Sequence, residues 1–226
     1  MKIKFGLLCA IIFISISCKK TGSTPAPPSQ PDNYYNTAAG SSWNYHAVDN
    51  SGSTPAVDYT VTSTSRDSSI NGKSYHVFNN SSGGNQYLNL SGNDYYEFDS
   101  LPAGLGAGAI ERLYLKDNAA AGINWSQNLS VTIPGFPLQI PFTITNNIIE
   151  KDVMRTVSGT SYSNVIHVST TISSSLVPTA SLVTNIDSYY APKYGLIENS
   201  SIVHLDFAGL VQDLDTKTTL ESATLK

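Results

Sequence analysis

The sequence predicts an all-β protein, a single antiparallel meander bent into a strongly curved sheet, half-barrel or barrel, with a β-sandwich as the alternative. Three observations predict it. Apolar and polar residues alternate with period two along most of the chain. Turn residues separate those runs at short intervals. No segment shows a capped amphipathic helical pattern.

The elements follow in order. Trp43 and Tyr45 alternate with Ser42, Asn44 and His46, and Val57, Tyr59 and Val61 with Asp58, Thr60 and Thr62. Asn71-Gly72 suits a two-residue type I′ turn, in which both positions take positive φ, so it joins 64–70 to 73–79 as a hairpin. Ser91-Gly92-Asn93 joins 86–90 to 94–98 in the same way. Residues 101–109 and 117–122 read as loops. Leu138, Ile140, Phe142 and Ile144 share one strand face, and Ile166, Val168 and Ile172 another. About ten to twelve strands linked by short turns make a meander the natural topology.

The first residues carry a different signal. Lys2 and Lys4 precede an uncharged apolar run from Phe5 to Ser17, which is too short to cross a bilayer core that needs about 20 residues. Ser15-Ile16-Ser17-Cys18 resembles the lipobox of bacterial lipoproteins, in which a small residue precedes a cysteine whose sulfur takes up a diacylglyceryl group. The reading is a signal peptide over 1–17 and lipidation at Cys18. A proline-rich tether reaches residue 33, and a β domain spans 34–226. Two acyl chains hold a protein firmly at a membrane. The run after Cys18 is basic, Lys19-Lys20, which favours the periplasmic face of the outer membrane over the cell surface.

Composition narrows the function. Without Lys2 and Lys4 the 13 basic residues fall to 11 against 17 acidic ones, a net charge of −6. No basic patch exists to neutralise phosphates, so nucleic acid is not an expected partner. The two cysteines are Cys9, lost with the signal, and Cys18, lipidated. The mature domain is therefore expected to have no disulfide, thiolate metal site or cysteine nucleophile.

The candidate chemistry is sparse. His46, His76, His167 and His204 lack the paired spacing of a local metal site, and no cofactor is expected. Glu97 and Asp99 lie two apart, hence on one strand face, as do Asp213 and Asp215. Such carboxylate pairs suit a glycan hydrolase, but they are also common on solvated strands. Tyr34-Tyr35, Tyr95-Tyr96 and Tyr189-Tyr190 each put one ring on either face of a strand. The stretch from Asn118 to Ile149 has no formal charge, and its prolines place a hairpin tip at 134–137 with Phe136 exposed. That tip is either tucked onto the domain or presented to a partner or membrane. It is expected to matter for contact more than the acidic pairs do. Asp99-Ser100-Leu101 resembles the acceptor of Bacteroidota O-glycosylation, at Ser100.

Tyr34-Tyr35 with Gly40-x-x-Trp43-x-Tyr45, and Tyr190-x-Pro192-x-x-Gly195-Leu196-Ile197, resemble the opening and closing elements of a group of Bacteroidota envelope lipoproteins. More distantly, the layout is similar to the curved sheets of the LolA/LolB lipoprotein carriers. The resemblance implies an envelope location and a fold class, and transfers no catalytic residue. Three readings follow: a non-catalytic lipid-anchored protein binding an envelope protein, glycan or lipid; a carrier for an apolar molecule in the concave face; and a glycan-acting enzyme using Glu97 and Asp99. An apolar interior favours the carrier, and converging carboxylates favour the enzyme.

Overall fold

A computed structural model describes residues 33–100, 109–132, 139–207 and 209–226. The signal, Cys18, Leu101 and Phe136 lie outside the described residues. Twelve strands form one antiparallel sheet: β1 Ser42–Asp49, β2 Val57–Ile70, β3 Lys73–Asn80, β4 Asn85–Ser91, β5 Asp94–Ser100, β6 Ala109–Lys116, β7 Asn124–Thr132, β8 Gln139–Val157, β9 Thr160–Ser174, β10 Leu182–Ala191, β11 Gly195–Phe207 and β12 Leu210–Thr224. The order is β6-β5-β4-β3-β2-β1-β12-β11-β10-β9-β8-β7. The all-β meander is thus observed, as a nearly closed barrel rather than a sandwich. The described helical content is a single 3-10 turn at Thr179–Ser181.

Local chemistry accounts for the hairpins. Asn71 and Gly72 adopt φ of 51° and 81°, the left-handed conformations that a type I′ turn requires. The expected hairpin at Gly92-Asn93 also forms, and Ser158-Gly159 makes a third tight turn, between β8 and β9. Bulges bend the sheet into a barrel. The β8–β9 register shifts between Ile148 and Glu150 and twice more by Arg155.

The period-two pattern sorts the side chains. Ile140, Phe142, Ile144, Asn146 and Ile148 of β8 all point inward and are buried. Asp213, Asp215, Lys217, Thr219 and Glu221 of β12 alternate on the outside with inward Gln212, Leu214 and buried Leu220. An apolar inside and a mainly polar outside, broken by exposed Val183, Ile202 and Val211, is the reverse of the apolar band around a membrane-spanning barrel. No described helix is long and apolar enough to cross a membrane.

One end of the barrel is capped by the segment before β1. Tyr34 and Tyr35 do not sit in a strand and do not point to opposite faces, a correction to the sequence reading. Both turn over the barrel end. Tyr34 is buried edge-on to Tyr95, with ring centroids 6.2 Å apart, and Tyr35 packs edge-on to Phe78 and Tyr95. The backbone N–H of Tyr34 donates to the Tyr95 hydroxyl at 3.0 Å, and that hydroxyl donates to Asp117 at 2.7 Å. Gly195 supplies the closing element: a Cβ there would lie 3.2 Å from the Tyr34 carbonyl, and its φ is 68°. The chain end joins the cap through Lys226 N–H, which donates to Ser41 Oγ at 3.0 Å.

The two edges of the sheet, β6 and β7, are consecutive in sequence yet stand at opposite ends of the strand order. Side chains bridge them. Trp125 Nε1 donates to the Leu113 carbonyl at 2.8 Å, and Asn146 Nδ2 donates to the same carbonyl at 3.3 Å. Gln127 accepts from Leu113 N–H at 3.4 Å and donates to the Glu111 carbonyl. A cylinder closed at its seam by side chains leaves much of both strand edges without a ladder partner.

Candidate functional site

The barrel interior holds two chambers. The first, about 130 Å³, lies below the tyrosine cap and is lined by aromatic rings, among them Tyr45, Tyr59, Tyr114 and Tyr190, together with Glu97. Tyr45 and Tyr59 stack at 5.3 Å, and Tyr114 meets Tyr190 at 5.5 Å. Burial pushes the Tyr190 hydroxyl up to about 12, and that of Tyr114 well above its usual range, so both stay neutral donors.

The second chamber, about 400 Å³, lies toward the other end of the barrel. Leu129, Val131, Phe142, Ile144, Ile172 and Val203 are among its walls, with Asp99, Arg112 and Gln212 as the polar members. A volume above about 300 Å³ with an apolar lining and a few polar groups is the usual form of a small-molecule site. The strands impose this lining. Leu129 and Val131 of β7 and Ile140, Phe142 and Ile144 of β8 face inward because each alternates with a polar or proline position.

A charged group divides the chambers. Arg112 Nη2 donates to Glu97 Oε2 at 2.9 Å, with Glu97 on the aromatic side and Arg112 on the aliphatic side. The Glu97 carboxylate is the main reason that Arg112 holds its proton above the usual range, with Asp99 adding to it and burial opposing it. The Arg112 side chain remains 38 % exposed, because the chamber admits solvent.

Glu97 and Asp99 share one face, as their spacing predicts, and that face lines the barrel interior, with Glu97 half-buried and Asp99 exposed. The reason is β5 itself: Tyr95, Glu97 and Asp99 share a parity, and buried Tyr95 sets it inward. Glu97 acts as the counter-ion of Arg112. Asp213 and Asp215 point outward, Asp213 to His204 and Asp215 to Asn50 Nδ2, 2.8 Å away. Ser100 ends β5 with its backbone paired to Ala109. The four histidines each meet an aspartate across neighbouring strands: His46–Asp58 at 2.6 Å, His76–Asp67 at 3.0 Å, His167–Asp187 at 2.7 Å, and His204–Asp213. Among the described residues no group of three or more His, Cys, Asp or Glu side chains is arranged to hold a metal ion. Tyr95-Tyr96 and Tyr189-Tyr190 do split between faces. Tyr190 points in, while Tyr189 lies outside between His167 and the Arg155 guanidinium, the latter 3.3 Å from its ring centre.

Comparison with known proteins places this fold. It resembles that of a Parabacteroides distasonis protein. The match is the crystal structure of a candidate lipoprotein from strain ATCC 8503, with a TM-score of 0.52 and 12% identity, covering 86% of this chain and all of the other. A candidate exported protein of YmcC-like fold from Bacteroides fragilis NCTC 9343 superposes at a TM-score of 0.41 and 9% identity, over 85% of this chain and 99% of the other. No family model and no curated protein sequence matches the chain. At this identity the Parabacteroides likeness concerns the fold alone.

Arg112, Trp125 and Gln127 were missed in the sequence. Gln127 carried a legible signal, a polar residue on the Trp125, Leu129, Val131 face. Arg112 carried none, since Ala-Ile-Glu-Arg-Leu-Tyr-Leu-Lys does not alternate cleanly and β6 contains a bulge near Tyr114.

An outer cluster makes the barrel acid-sensitive. Burial raises the pKa of Glu198, but the hydrogen bonds and charges of Arg155, and then Lys217, outweigh it and hold the carboxyl below its ordinary 4.5. Glu111 is likewise held low against burial, by Lys73 and the Tyr75 hydroxyl. A carboxyl lowered in the fold stabilises it above the unfolded-state pKa and loses that contribution as pH falls through the folded value. The melting temperature is therefore expected to drop on acidification below about pH 4.5. Glu198→Gln should melt lower than the parent at neutral pH and converge with it in acid. Calorimetry across that range checks both.

Proposed function

We propose that this chain is a lipid-anchored envelope protein, held by Cys18 at the periplasmic face of the outer membrane, whose barrel binds an apolar or amphipathic molecule without chemical turnover. The observation that carries the reading is the aliphatic chamber of about 400 Å³ inside the barrel. Apolar walls of this extent gain packing contacts from an apolar ligand that fits between them. The likeness in fold to the Parabacteroides distasonis candidate lipoprotein supports the location. The glycan-hydrolase reading loses ground because Glu97 is engaged as the counter-ion of Arg112.

Filling the chamber tests the function. Val203 faces the chamber and is half-buried. Val203→Trp is expected to abolish the fluorescence rise of N-phenyl-1-naphthylamine in the full chain while costing no more than about 1–3 kcal/mol of stability. An unchanged rise would remove the interior-ligand reading. The anchor has its own test: Cys18→Ala should lose incorporation of a palmitate analogue and leave the membrane fraction.

A further inference from the structure

His76 differs from the other three histidines. Among the described residues, His46, His167 and His204 each hydrogen-bond to an aspartate through one ring nitrogen. His76 uses both. Its Nδ1 lies 3.0 Å from Asp67 Oδ1, and its Nε2 lies 2.9 Å from Ser63 Oγ. The same Oγ donates to the Thr37 carbonyl at 2.9 Å. Thr37 belongs to the cap, whose Tyr35 lines the aromatic chamber. The relay therefore runs from β2 and β3 into the segment that closes this end of the barrel. Backbone bonds lie beside it, from Gly40 N–H to the Ser63 carbonyl and from Ser63 N–H to the Ser41 carbonyl.

Counting protons gives the state of the ring. A carbonyl and an ionised carboxylate only accept. The single Ser63 hydroxyl proton goes to Thr37, so Nε2 must donate to Ser63 Oγ, and Nδ1 must donate to Asp67. The three bonds together need a proton on each ring nitrogen, one more than neutral histidine carries. Around the ring stand Asp67 and Ser63 from β2, Leu88 from β4, Phe78 of its own strand, and Thr37 from the cap. Of these, Asp67 is the charged group and supplies the counter-ion. Tyr35 is the titratable group of the cap here; burial and then the Asp67 charge push its hydroxyl up to about 12, so it stays neutral.

We propose that His76 is a proton-dependent latch on the cap: doubly protonated, it completes the relay from Asp67 to Thr37, and on losing one proton it loosens residues 33–41 over the aromatic chamber. The carboxylate keeps Nδ1–H, since a charged acceptor makes the stronger bond. Ser63 then has one proton for two acceptors, Nε2 and the Thr37 carbonyl. Ser63 is 2 % exposed, so water has little access to complete the set. The latch does not depend on a ligand in either chamber.

The test follows hydrogen exchange in the full chain carrying Cys18→Ala, corrected for the intrinsic pH dependence of exchange. Histidines titrate between about pH 5 and 8. Across that range the protection of 33–41 should fall about tenfold as pH rises, while the β1–β12 pair holds steady. Nitrogen NMR of the ring should show both His76 nitrogens protonated at the acid end. His76→Gln should abolish the pH dependence of the cap. Ser63→Ala should lower its protection at every pH and also abolish that dependence, which keeps the latch testable if the first variant does not fold. Cap protection that is unmoved by pH in the parent, or that varies with pH equally in the parent and the variants, overturns the latch. Labelling of Ser63 by a fluorophosphonate also overturns it, because the same three side chains would then be a nucleophile, its base and the group that orients the base.

Discussion

Tyr95→Ala is expected to destabilise the barrel by about 4–5 kcal/mol, as read from urea unfolding. Tyr95 has no exposed surface and stands where the cap, the aromatic chamber and strand β5 meet. Its ring packs against Tyr34, Tyr35 and Tyr114, with centroids 5.8–6.2 Å away. Truncation removes those contacts and leaves a cavity, which alone costs about 3–5 kcal/mol for a large aromatic. It also strands the N–H of Tyr34 and removes a donor to Asp117. A domain stable by about 5–15 kcal/mol would lose a large part of its margin. Tyr95→Phe separates the terms, since it keeps the packing and loses the two hydrogen bonds, and should cost about 1–3 kcal/mol. If Tyr95→Ala costs no more than Tyr95→Phe, the cap does not depend on the ring.

The second large effect is at the seam. Trp125→Ala with Gln127→Ala removes three of the four side-chain hydrogen bonds described between β7–β8 and the β6 backbone. It also withdraws the indole from the cluster around Ile148 and Leu115. Together these should cost about 3–5 kcal/mol, close to the range for truncating a packed tryptophan. The loss is local in character. Hydrogen exchange should accelerate first in 109–116 and 124–132, while the β1–β12 pair, which holds a continuous ladder apart from one bulge near Tyr45, stays protected. The opened edges also present unpaired backbone, so the variant should self-associate more readily than the parent. Uniform exchange across all twelve strands would show that the seam is not a separate opening unit.

The alternation along each strand identified the chain as a meander, and Asn71-Gly72 placed its clearest turn, because both depend on neighbours in sequence. The chamber-lining carboxylates were legible as a pair but not as to face. Period two says that Glu97 and Asp99 lie together; it does not say on which side. Buried Tyr95 decided that, through contacts with Tyr34 and Tyr35 some 60 positions earlier. The aromatic pair Tyr34-Tyr35 looked like strand sequence and became a cap, since no partner strand lies beside it and the barrel end offered apolar rings to cover.

What the sequence determined by itself was therefore local: the β class, the hairpins at Asn71-Gly72 and Gly92-Asn93, and the shared faces of residues two apart. Closure was decided only in three dimensions. β1 and β12 are the first and last strands, and their pairing, with Ser42 opposite Thr224, turns a ribbon into a barrel. The seam between β6 and β7 depends on Trp125 and Gln127 reaching a backbone that no hairpin rule assigns to them. The chamber, and the meeting of Arg112 with Glu97 inside it, exist because twelve inward faces converge on one axis. Side-chain period is a property of each strand, whereas enclosed volume and net charge belong to the closed sheet.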